Sequence, residues 1–361
     1  MKLLTLLFWV VCSCSVFAYE SESNQDTAEI LHTGTKAVPI KVETPVYPPV
    51  ALRRGIEGWV VLSFTIKADG TTEDIEVVAA SIEDYFDTAA IEAARARIYQ
   101  PATLQGKPVV QRNTNVRSIF QFKDSKGGVS KAFLSSYRKT KDAMNTGDLD
   151  LAKSLIDKLD GNESRLLAEV CYLDMLKSIY YAKKGNNRSS LRHLEHALVI
   201  ADDVASKDIY IGLLRQSIVI NAKANNYQTS LKRYQTLMQT DEDLAPDDPI
   251  HNYVQRITEI LDGEATIQTM GKVSLSCKTC ETDTGFWRHV LNRNRFLIDQ
   301  AVGELTEIEI LCQNSSVTVA HNPETAWSVN KDGGECIIRV FGEEKTTFRL
   351  LELANESQDK G

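Results

Sequence analysis

An apolar alternation between Gly58 and Lys67 is the feature that most constrains how this chain folds. Every second residue of the run is apolar, which is typical of a β-strand with one buried face. The alternating apolar residues are Val60, Leu62, Phe64 and Ile66. Asp69-Gly70 follows at once and favours a tight turn. The sequence therefore predicts the first strand of an antiparallel hairpin.

The residues around this hairpin predict a small α+β unit over residues 42–124. A short helix precedes it, because proline at 49 is tolerated in a first helical turn and Gly55 suits the left-handed residue that ends one. A second strand, a helix ended by Pro101 and a last strand follow. The apolar positions of these three elements are Ile75, Val77 and Ala79, then Phe86, Ala90, Ala93 and Ala94, then Val116, Phe120 and Phe122. The predicted order is helix, hairpin, helix and strand.

A series of short motifs in this unit resembles the C-terminal domain of the TonB family over about residues 44–122. Each residue also has an ordinary structural use in a turn, a helix end or the core, and it is the order of the motifs that identifies the family. The motifs are Tyr47-Pro48, Gly55-x-Glu57-Gly58, Phe64-x-Ile66-x-x-Asp69-Gly70, Phe86-Asp87-x-Ala89-Ala90, Tyr99-x-Pro101-Ala102 and Gly106-Lys107-Pro108.

This resemblance implies an adaptor that grips outer-membrane receptors, with no catalytic role. The receptor's extended N-terminal peptide would add as a strand to the edge formed by residues 112–122, held by main-chain hydrogen bonds. Polar residues suit an edge that must stay soluble when empty, although a merely solvated face would look the same. The predicted partner-binding residues are Thr44, Tyr47, Pro48, Arg112, Asn113, Asn115, Arg117 and Ile119.

The chain also departs from the family pattern. Thr44 stands where members often carry a glutamine that contacts the receptor peptide. The anchoring helix with a histidine and the long proline-rich spacer, both usual in members that transmit energy, are not found in the sequence. An inner-membrane proton-channel complex is therefore expected as a partner only if the N-terminal segment is retained as an anchor.

Residues 1–18 have the layout of a secretory signal peptide. Lys2 precedes an apolar run, and small residues end at Ala18, where cleavage is expected. The apolar stretch of about 16 residues is shorter than the roughly 20 that span a bilayer, so a short inner-membrane anchor is the second interpretation. A lipoprotein with Cys14 acylated is the third. Cleavage would place the protein in the periplasm, with residues 19–41 as a flexible leader.

Composition excludes one class of partner. The net charge is −8 and the estimated pI is near 5.4, whereas nucleic-acid binding normally needs a basic stripe. The 361 residues, of which 43% are hydrophobic, supply enough apolar material for more than one core. We therefore expect a multidomain protein without a nucleic-acid partner.

Residues 129–265 predict a degenerate helical-repeat domain that resembles the tetratricopeptide class. Ala182 to Asn186 matches Ala222 to Asn226, and Gly147-Asp148 is a looser copy. Such a stack offers a docking surface for an unidentified protein or peptide, or serves as a spacer. His193 and His196 are expected on a solvated helix face, with no metal, and Cys171 as a buried helix cysteine.

Short alternating runs over residues 269–353 predict a small all-β domain. Cys277, Cys280, Cys312 and Cys336 favour two disulfides in an exported chain, and local spacing favours pairing the first two and the last two. Closing the longer loop would contribute about 3–4 kcal/mol. Trp327 is expected to pack on the second disulfide. Redox catalysis and zinc binding at Cys277-x-x-Cys280 are the alternatives.

Together these features predict a non-enzymatic protein without cofactor, metal or catalytic residues. Its expected fold class is multidomain: an α+β TonB-like domain with an antiparallel sheet and two helices, an α-helical repeat domain and a small all-β domain. Its expected function is receptor binding by strand addition in energy-coupled nutrient transport. The alternative is a cell-envelope scaffold that uses the helical repeats as its main binding surface.

Overall fold

A computed structural model describes most of the chain. The described residues are 34–82, 84–104, 106–123, 128–162, 164–274, 285–312, 316–329 and 335–354. The predicted signal peptide, the lipoprotein-like cysteine and Cys277-x-x-Cys280 lie outside them. Among the helices that are described, none combines the length and the apolar character needed to cross a bilayer.

The N-terminal α+β region holds the predicted unit. Its elements are β1 (Gly34–Thr35), β2 (Val38–Lys41), α1 (Pro49–Arg54), β3 (Gly58–Ile66), β4 (Thr72–Ala80), α2 (Asp87–Arg95), β5 (Ile98–Gln100), β6 (Ala102–Leu104), β7 (Lys107–Val109) and β8 (Gln111–Phe120). The main antiparallel sheet has the order β4-β3-β8, and β1-β6-β7 and β2-β5 form smaller ones. The region is thus a sheet with two helices, as the sequence predicts.

The turn between β3 and β4 requires its glycine. Gly70 has φ 84°, a left-handed conformation. A Cβ atom there would come within 2.0 Å of the carbonyl oxygen of Tyr99. The amide of Tyr99 donates to the carbonyl of Gly70 at 2.9 Å. Gly70 therefore allows the turn of the hairpin and positions the start of β5.

The predicted flexible leader is ordered in its last part. β2 pairs with β5, and β1 pairs with β6, both antiparallel. The prediction of a flexible segment up to residue 41 is wrong for residues 34–41. Strands of two and four residues are too short to show alternation, and their main-chain bonds depend on partners about 60 to 70 residues later.

One face of the main sheet packs on its own helices. The alternating residues predicted from the sequence are buried here, together with Phe86, Ala90 and Ala94 of the second helical segment. Phe86 stacks on Phe120 with ring centroids 4.4 Å apart. Tyr99 is 5% exposed and belongs to the same buried cluster. This face is the hydrophobic core of the N-terminal region.

The opposite face of the sheet is buried as well, so the prediction of one buried face is wrong. Trp59 is fully buried, and Val61, Ala79 and Ile119 pack in the same cluster as residues of the helical region. From Trp59 and Val61 the helical residues of this cluster are more than 100 positions away along the chain, so local periodicity could not reveal them. β3 is consequently a central strand with cores on both sides.

The helical region consists of helix pairs joined by tight turns. Its elements are α3 (Lys131–Thr146), α4 (Leu149–Asp160), α5 (Leu167–Lys183), α6 (Asn187–Leu198), α7 (Ala201–Val204), α8 (Lys207–Lys223), α9 (Tyr227–Thr240) and α10 (Pro249–Asp262). Gly147, Gly185 and Asn225 have φ of 82°, 71° and 59°, and each lies between the two helices of a pair. The repeated turns in the sequence are therefore helix junctions. Their assignment to the tetratricopeptide class stays a prediction.

The C-terminal β region contains two sheets that share one core. Its strands are β9 (Ile267–Lys272), β10 (Phe286–Val290), β11 (Arg295–Val302), β12 (Leu305–Leu311), β13 (Ser316–Ala320), β14 (Trp327–Ser328), β15 (Ile337–Gly342) and β16 (Thr347–Leu353). The sheet orders are β10-β15-β12-β13 and β14-β11-β16-β9. A disulfide joins Cys312 to Cys336 with Cα atoms 4.1 Å apart, and Trp327 packs against the cluster that contains both.

Buried polar groups join the β region to the helical region. Arg293 is 2% exposed and donates to main-chain carbonyls around the end of α10, those of Leu261, Gly263 and Ala265 among them. A guanidinium is favourable there because the last carbonyls of a helix carry partial negative charge. Asn292 donates to the carbonyl of Asn225 at 2.7 Å. The turn after α8 is therefore fixed to the β region.

Candidate partner-binding edge

The main sheet has two outer strands, and β4 is guarded against strand addition. It carries two exposed acidic residues, Glu73 and Asp74, and Asp74 has φ 50°. Its register with β3 shifts twice, between Val61 and Leu62 and between Ser63 and Thr65. Charges and irregularities are the means by which proteins keep an edge strand from pairing. β4 is a poor template for a further strand.

β8 is the regular edge of the same sheet. Its register with β3 is unbroken from Thr114, opposite Phe64, to Phe120, opposite Gly58. Over residues 114–120 the only charged side chain is that of Arg117. In the part of the chain that the structure describes, β3 is the strand that pairs with β8 and none pairs with its outer side. Unpaired main-chain groups in regular register are what strand addition requires.

Arg117 and Ile119 lie on β8, but their side chains face the helical region. The guanidinium of Arg117 lies 2.8 Å from Asp202 and 2.9 Å from Asp203, both in α7, and also donates to the carbonyl of Val199. Ile119 packs in the core shared with Trp59. These two side chains fix the sheet on the helices, and no described strand pairs with the outer edge of β8.

Arg112 and Asn113 lie at the first end of β8, where the register shifts. Asn113 has φ 54°, which asparagine tolerates better than most residues. Its side-chain amide donates to the carbonyl of Leu311 in β12 at 3.1 Å, and the exposed Asn115 donates to the carbonyl of Asn113 at 3.4 Å. The beginning of the edge strand is thereby tied to the C-terminal β region.

Tyr47, Pro48 and Thr44 lie at the other end of β8. The ring of Tyr47 stacks on Phe122 at 5.2 Å and meets Phe120 edge-on at 5.9 Å, and its hydroxyl donates to the carbonyl of Ile56. Burial, reinforced by the carboxylate of Glu57, raises the pKa of Tyr47. Pro48 precedes the first turn of α1, and Thr44 is exposed outside any helix or strand. The predicted residues thus do not form one cluster: Arg112 and Asn113 lie at the first end of β8, Tyr47 lies beside its other end, and the rest of the β8 residues lie along the strand.

Glu57 was not singled out for a role by sequence reasoning, although it lies inside the Gly55-x-Glu57-Gly58 motif. Its side chain is fully buried. One carboxylate oxygen accepts from the amide of Phe122 at 2.9 Å and the other from the amide of Leu167, in the first turn of α5, at 2.7 Å. A carboxylate is stabilised at a helix N-terminus. Glu57 therefore connects the end of the candidate edge to the helical region.

The prediction that His193 and His196 lie on a solvated helix face is wrong. His193 is 8% exposed, and its Nδ1 lies 2.7 Å from Asp174. The ring of His196 meets the indole of Trp59 at 5.3 Å, and burial lowers the pKa of His196. The polar composition of α6 hid this contact, because its partner lies in a distant strand. Cys171 is buried as predicted.

A cavity of about 740 Å³ opens beside the first end of β8. Its floor includes Ser63, Thr65, Arg112 and Asn113 of the main sheet. Its roof is the outer face of the sheet β10-β15-β12-β13, with the lining residues Phe286, Glu307, Glu309, Leu311, Ser316, Thr318, Arg339 and Phe341. The carboxyl of Glu76 has its pKa raised by burial, which Arg339 opposes. The cavity is polar and charged.

Comparison with known proteins identifies the N-terminal region. Residues 43–122 match the family described as Gram-negative bacterial TonB protein C-terminal. Over 88 residues the chain is 36% identical to Protein TonB of Pseudomonas aeruginosa, covering 24% of this chain and 25% of that protein. Over 62 residues it is 44% identical to Protein TonB of Helicobacter pylori, covering 16% and 22%. The chain thus spans about a quarter of the length of these relatives.

A similar solved structure is the solution NMR structure of the Pseudomonas aeruginosa TonB C-terminal domain. It is 32% identical, covers 26% of this chain and 92% of that one, and has a TM-score of 0.23. The resemblance found in the sequence is confirmed by the family match: residues 43–122 form a TonB C-terminal domain.

Proposed function

We propose that this protein binds an extended peptide of an outer-membrane receptor along the outer edge of β8, in receptor-dependent, energy-coupled nutrient uptake. The observation that carries the proposal is the regular, unpaired edge from Thr114 to Phe120 within a TonB C-terminal domain. The guarded edge of β4 leaves β8 as the strand suited to addition. Binding of this kind needs no catalytic group or cofactor.

Main-chain hydrogen bonds would supply the grip. Each contributes about 0.5–1.5 kcal/mol net, so several along the strand are needed for measurable affinity. The edge is held rigid at both ends, by Tyr47 beside Phe120 and by Asn113 on Leu311. A rigid edge loses little conformational entropy on binding, which favours affinity.

An N-methyl scan of a receptor peptide tests the proposal. The probe is a synthetic peptide of the N-terminal extended segment of a TonB-dependent receptor from the same bacterium. In strand addition only every second peptide N–H faces β8. Single N-methylation should therefore weaken binding at alternate positions, with the intervening positions as matched controls. Uniform losses, or no binding of the parent peptide, would overturn the proposal.

We place the binding domain in the periplasm, where receptor peptides are accessible. Direct coupling to an inner-membrane proton-channel complex requires that the N-terminal segment remain as an anchor. Intact mass of the protein from its native envelope, extracted with and without detergent, distinguishes the cases. A membrane-bound, uncleaved chain supports direct coupling, and a released chain that begins at Tyr19 leaves a receptor-binding adaptor.

An envelope scaffold that binds through the helical repeats is the other candidate. Part of the helical surface is already covered in this protein, since Trp59, Val61 and Ile119 of the sheet pack on it. A scaffold would have to use the remaining surface of the helical region. Receptor peptides would then be absent among the bound partners.

A further inference from the structure

The cavity beside β8 is formed by two regions of the chain whose facing surfaces are both polar. In β12 and β15, Ile308, Ile310, Ile338 and Val340 point into the core of the β region. The alternate residues therefore point the other way, and they include Glu307, Glu309 and Arg339, which line the cavity. The C-terminal sheet thus presents a charged outer face to the TonB C-terminal domain.

Ion pairs and a hydrogen bond connect the sheet β10-β15-β12-β13 to the main sheet. Nη1 of Arg339 lies 2.7 Å from one carboxylate oxygen of Glu76, and Nη2 lies 3.0 Å from the other. The same guanidinium lies 3.3 Å from Glu309. Asn113 reaches the carbonyl of Leu311 on the β8 side. The space enclosed between these contacts, about 740 Å³, is within the usual range for a binding site of about 300–1,000 Å³.

The charges of the cavity do not balance. Arg339 is engaged by Glu76 and Glu309. Of the other charged residues that line the described part of the cavity, three are acidic, Glu73, Asp74 and Glu307, and two are basic, Arg95 and Arg112. None of these five side chains takes part in an ion pair with a described residue. Glu307 is exposed at the β12 side of the opening. The cavity lining therefore has an excess of acidic side chains, and a basic side chain of a ligand is the group that complements it.

β13, the edge strand of the sheet that forms the roof of the cavity, is also suited to contact an extended peptide. β13 reads Ser-Val-Thr-Val-Ala, without charge or proline. Ser316 and Thr318 line the cavity together with Arg112 and Asn113 of β8. A strand that leaves the outer edge of β8 at this end therefore enters a space lined by hydroxyl groups and carboxylates.

Resting on the proposed function, we propose that this cavity receives the continuation of the receptor peptide beyond β8 and selects a lysine or arginine in it through Glu307. The C-terminal β region is then the specificity-determining wall of the partner site, and β8 supplies the sequence-independent grip. A peptide that ends at β8 would bind without this selection.

Two peptide lengths test this inference. The short receptor peptide is just long enough to pair with β8. The longer peptides add a few residues at one end or at the other, and the added residues include either a lysine or a glutamate. The lysine peptide that extends toward Arg112 should bind about two- to five-fold more tightly than the short peptide, and the glutamate peptide should not. Glu307→Lys should abolish the gain and leave the short peptide unaffected. Glu324→Lys, an exposed site of the same region that does not line the cavity, is the matched control.

The outcomes separate the two proposals. If the short peptide binds and neither extension gains affinity, the cavity does not read the peptide and this inference alone fails. If a gain appears but survives Glu307→Lys, the selection through Glu307 is wrong. If no peptide binds, strand addition itself fails and the inference fails with it.

Discussion

The indole ring of Trp59 meets the imidazole of His196 edge to face, with centroids 5.3 Å apart. Trp59 belongs to β3 of the TonB C-terminal domain, and His196 to α6 of the helical region. The contact lies in a core to which both regions contribute, so the main sheet is fixed on the helices by apolar packing.

Removal of the Trp59 ring should destabilise both regions together. Trp59→Ala deletes a fully buried side chain and should lower the free energy of unfolding by about 3–5 kcal/mol. Trp59→Phe should cost much less, because Nε1 has no hydrogen-bond partner to lose. Urea unfolding followed by circular dichroism measures both. A loss confined to the sheet signal would show that the regions unfold independently.

Stability should fall as the pH drops through about 6.5, the ordinary value for a histidine. Burial lowers the pKa of His196 in the folded protein, as do the nearby His193, Arg192 and Lys177, while Asp174 opposes them. The unfolded chain then binds the proton more readily, so the stabilisation is present above the unfolded pKa and is lost below it. Urea midpoints between about pH 7.5 and 5.5 should show this step.

The same titration in the His196→Gln variant provides the control for the pH effect. Glutamine does not titrate, so the step near pH 6.5 should shrink or disappear. A step of unchanged size in this variant would assign the pH dependence to another group.

Loss of one acceptor at Glu57 should loosen the end of β8. Glu57→Gln keeps one oxygen but places an amide group against either the N–H of Phe122 or that of Leu167. We expect a loss of about 2–4 kcal/mol in the free energy of unfolding, since a buried N–H is left unpaired. Glu264→Gln, on an exposed site, is the control and should change stability by less than about 0.5 kcal/mol. Equal effects of the two changes would refute the role of Glu57.

Cys171 should be inert in the native protein. Burial raises its pKa to about 12, and its Sγ donates to the carbonyl of Ala197. The thiolate is the reactive form, so alkylation at pH 8 should leave this residue unmodified until urea unfolds the chain. Mass spectrometry of the peptide that contains Cys171 reads the result. Rapid native modification would contradict the burial of this helix face.

The hairpin and the TonB C-terminal domain could be predicted because their information is local. The alternation in β3, the turn at Gly70 and the order of short motifs lie within about 80 residues of sequence. Strands β1 and β2 escaped prediction because two to four residues show no period. The second buried face of β3 escaped because its partners lie in the helical region.

For the candidate site, too, local features could be predicted from the sequence and long-range contacts could not. The resemblance indicates which strand forms the edge, but it does not reveal that Asp202 and Asp203 hold Arg117, or that Leu311 holds Asn113. These contacts join residues about 80 to 200 positions apart. Side-chain roles at the edge depend on this long-range packing. The disulfide partners Cys312 and Cys336, in contrast, lie close in sequence.

Hydrogen exchange of β8 with and without the receptor peptide tests strand addition most directly. In the free protein, the amides between Thr114 and Phe120 that point away from β3 should exchange quickly, and those bonded to β3 slowly. Peptide binding should protect the fast amides of β8 and leave those of β4 unchanged. Protection at the edge of β4 or in the helical region, with β8 unaffected, would contradict binding along β8.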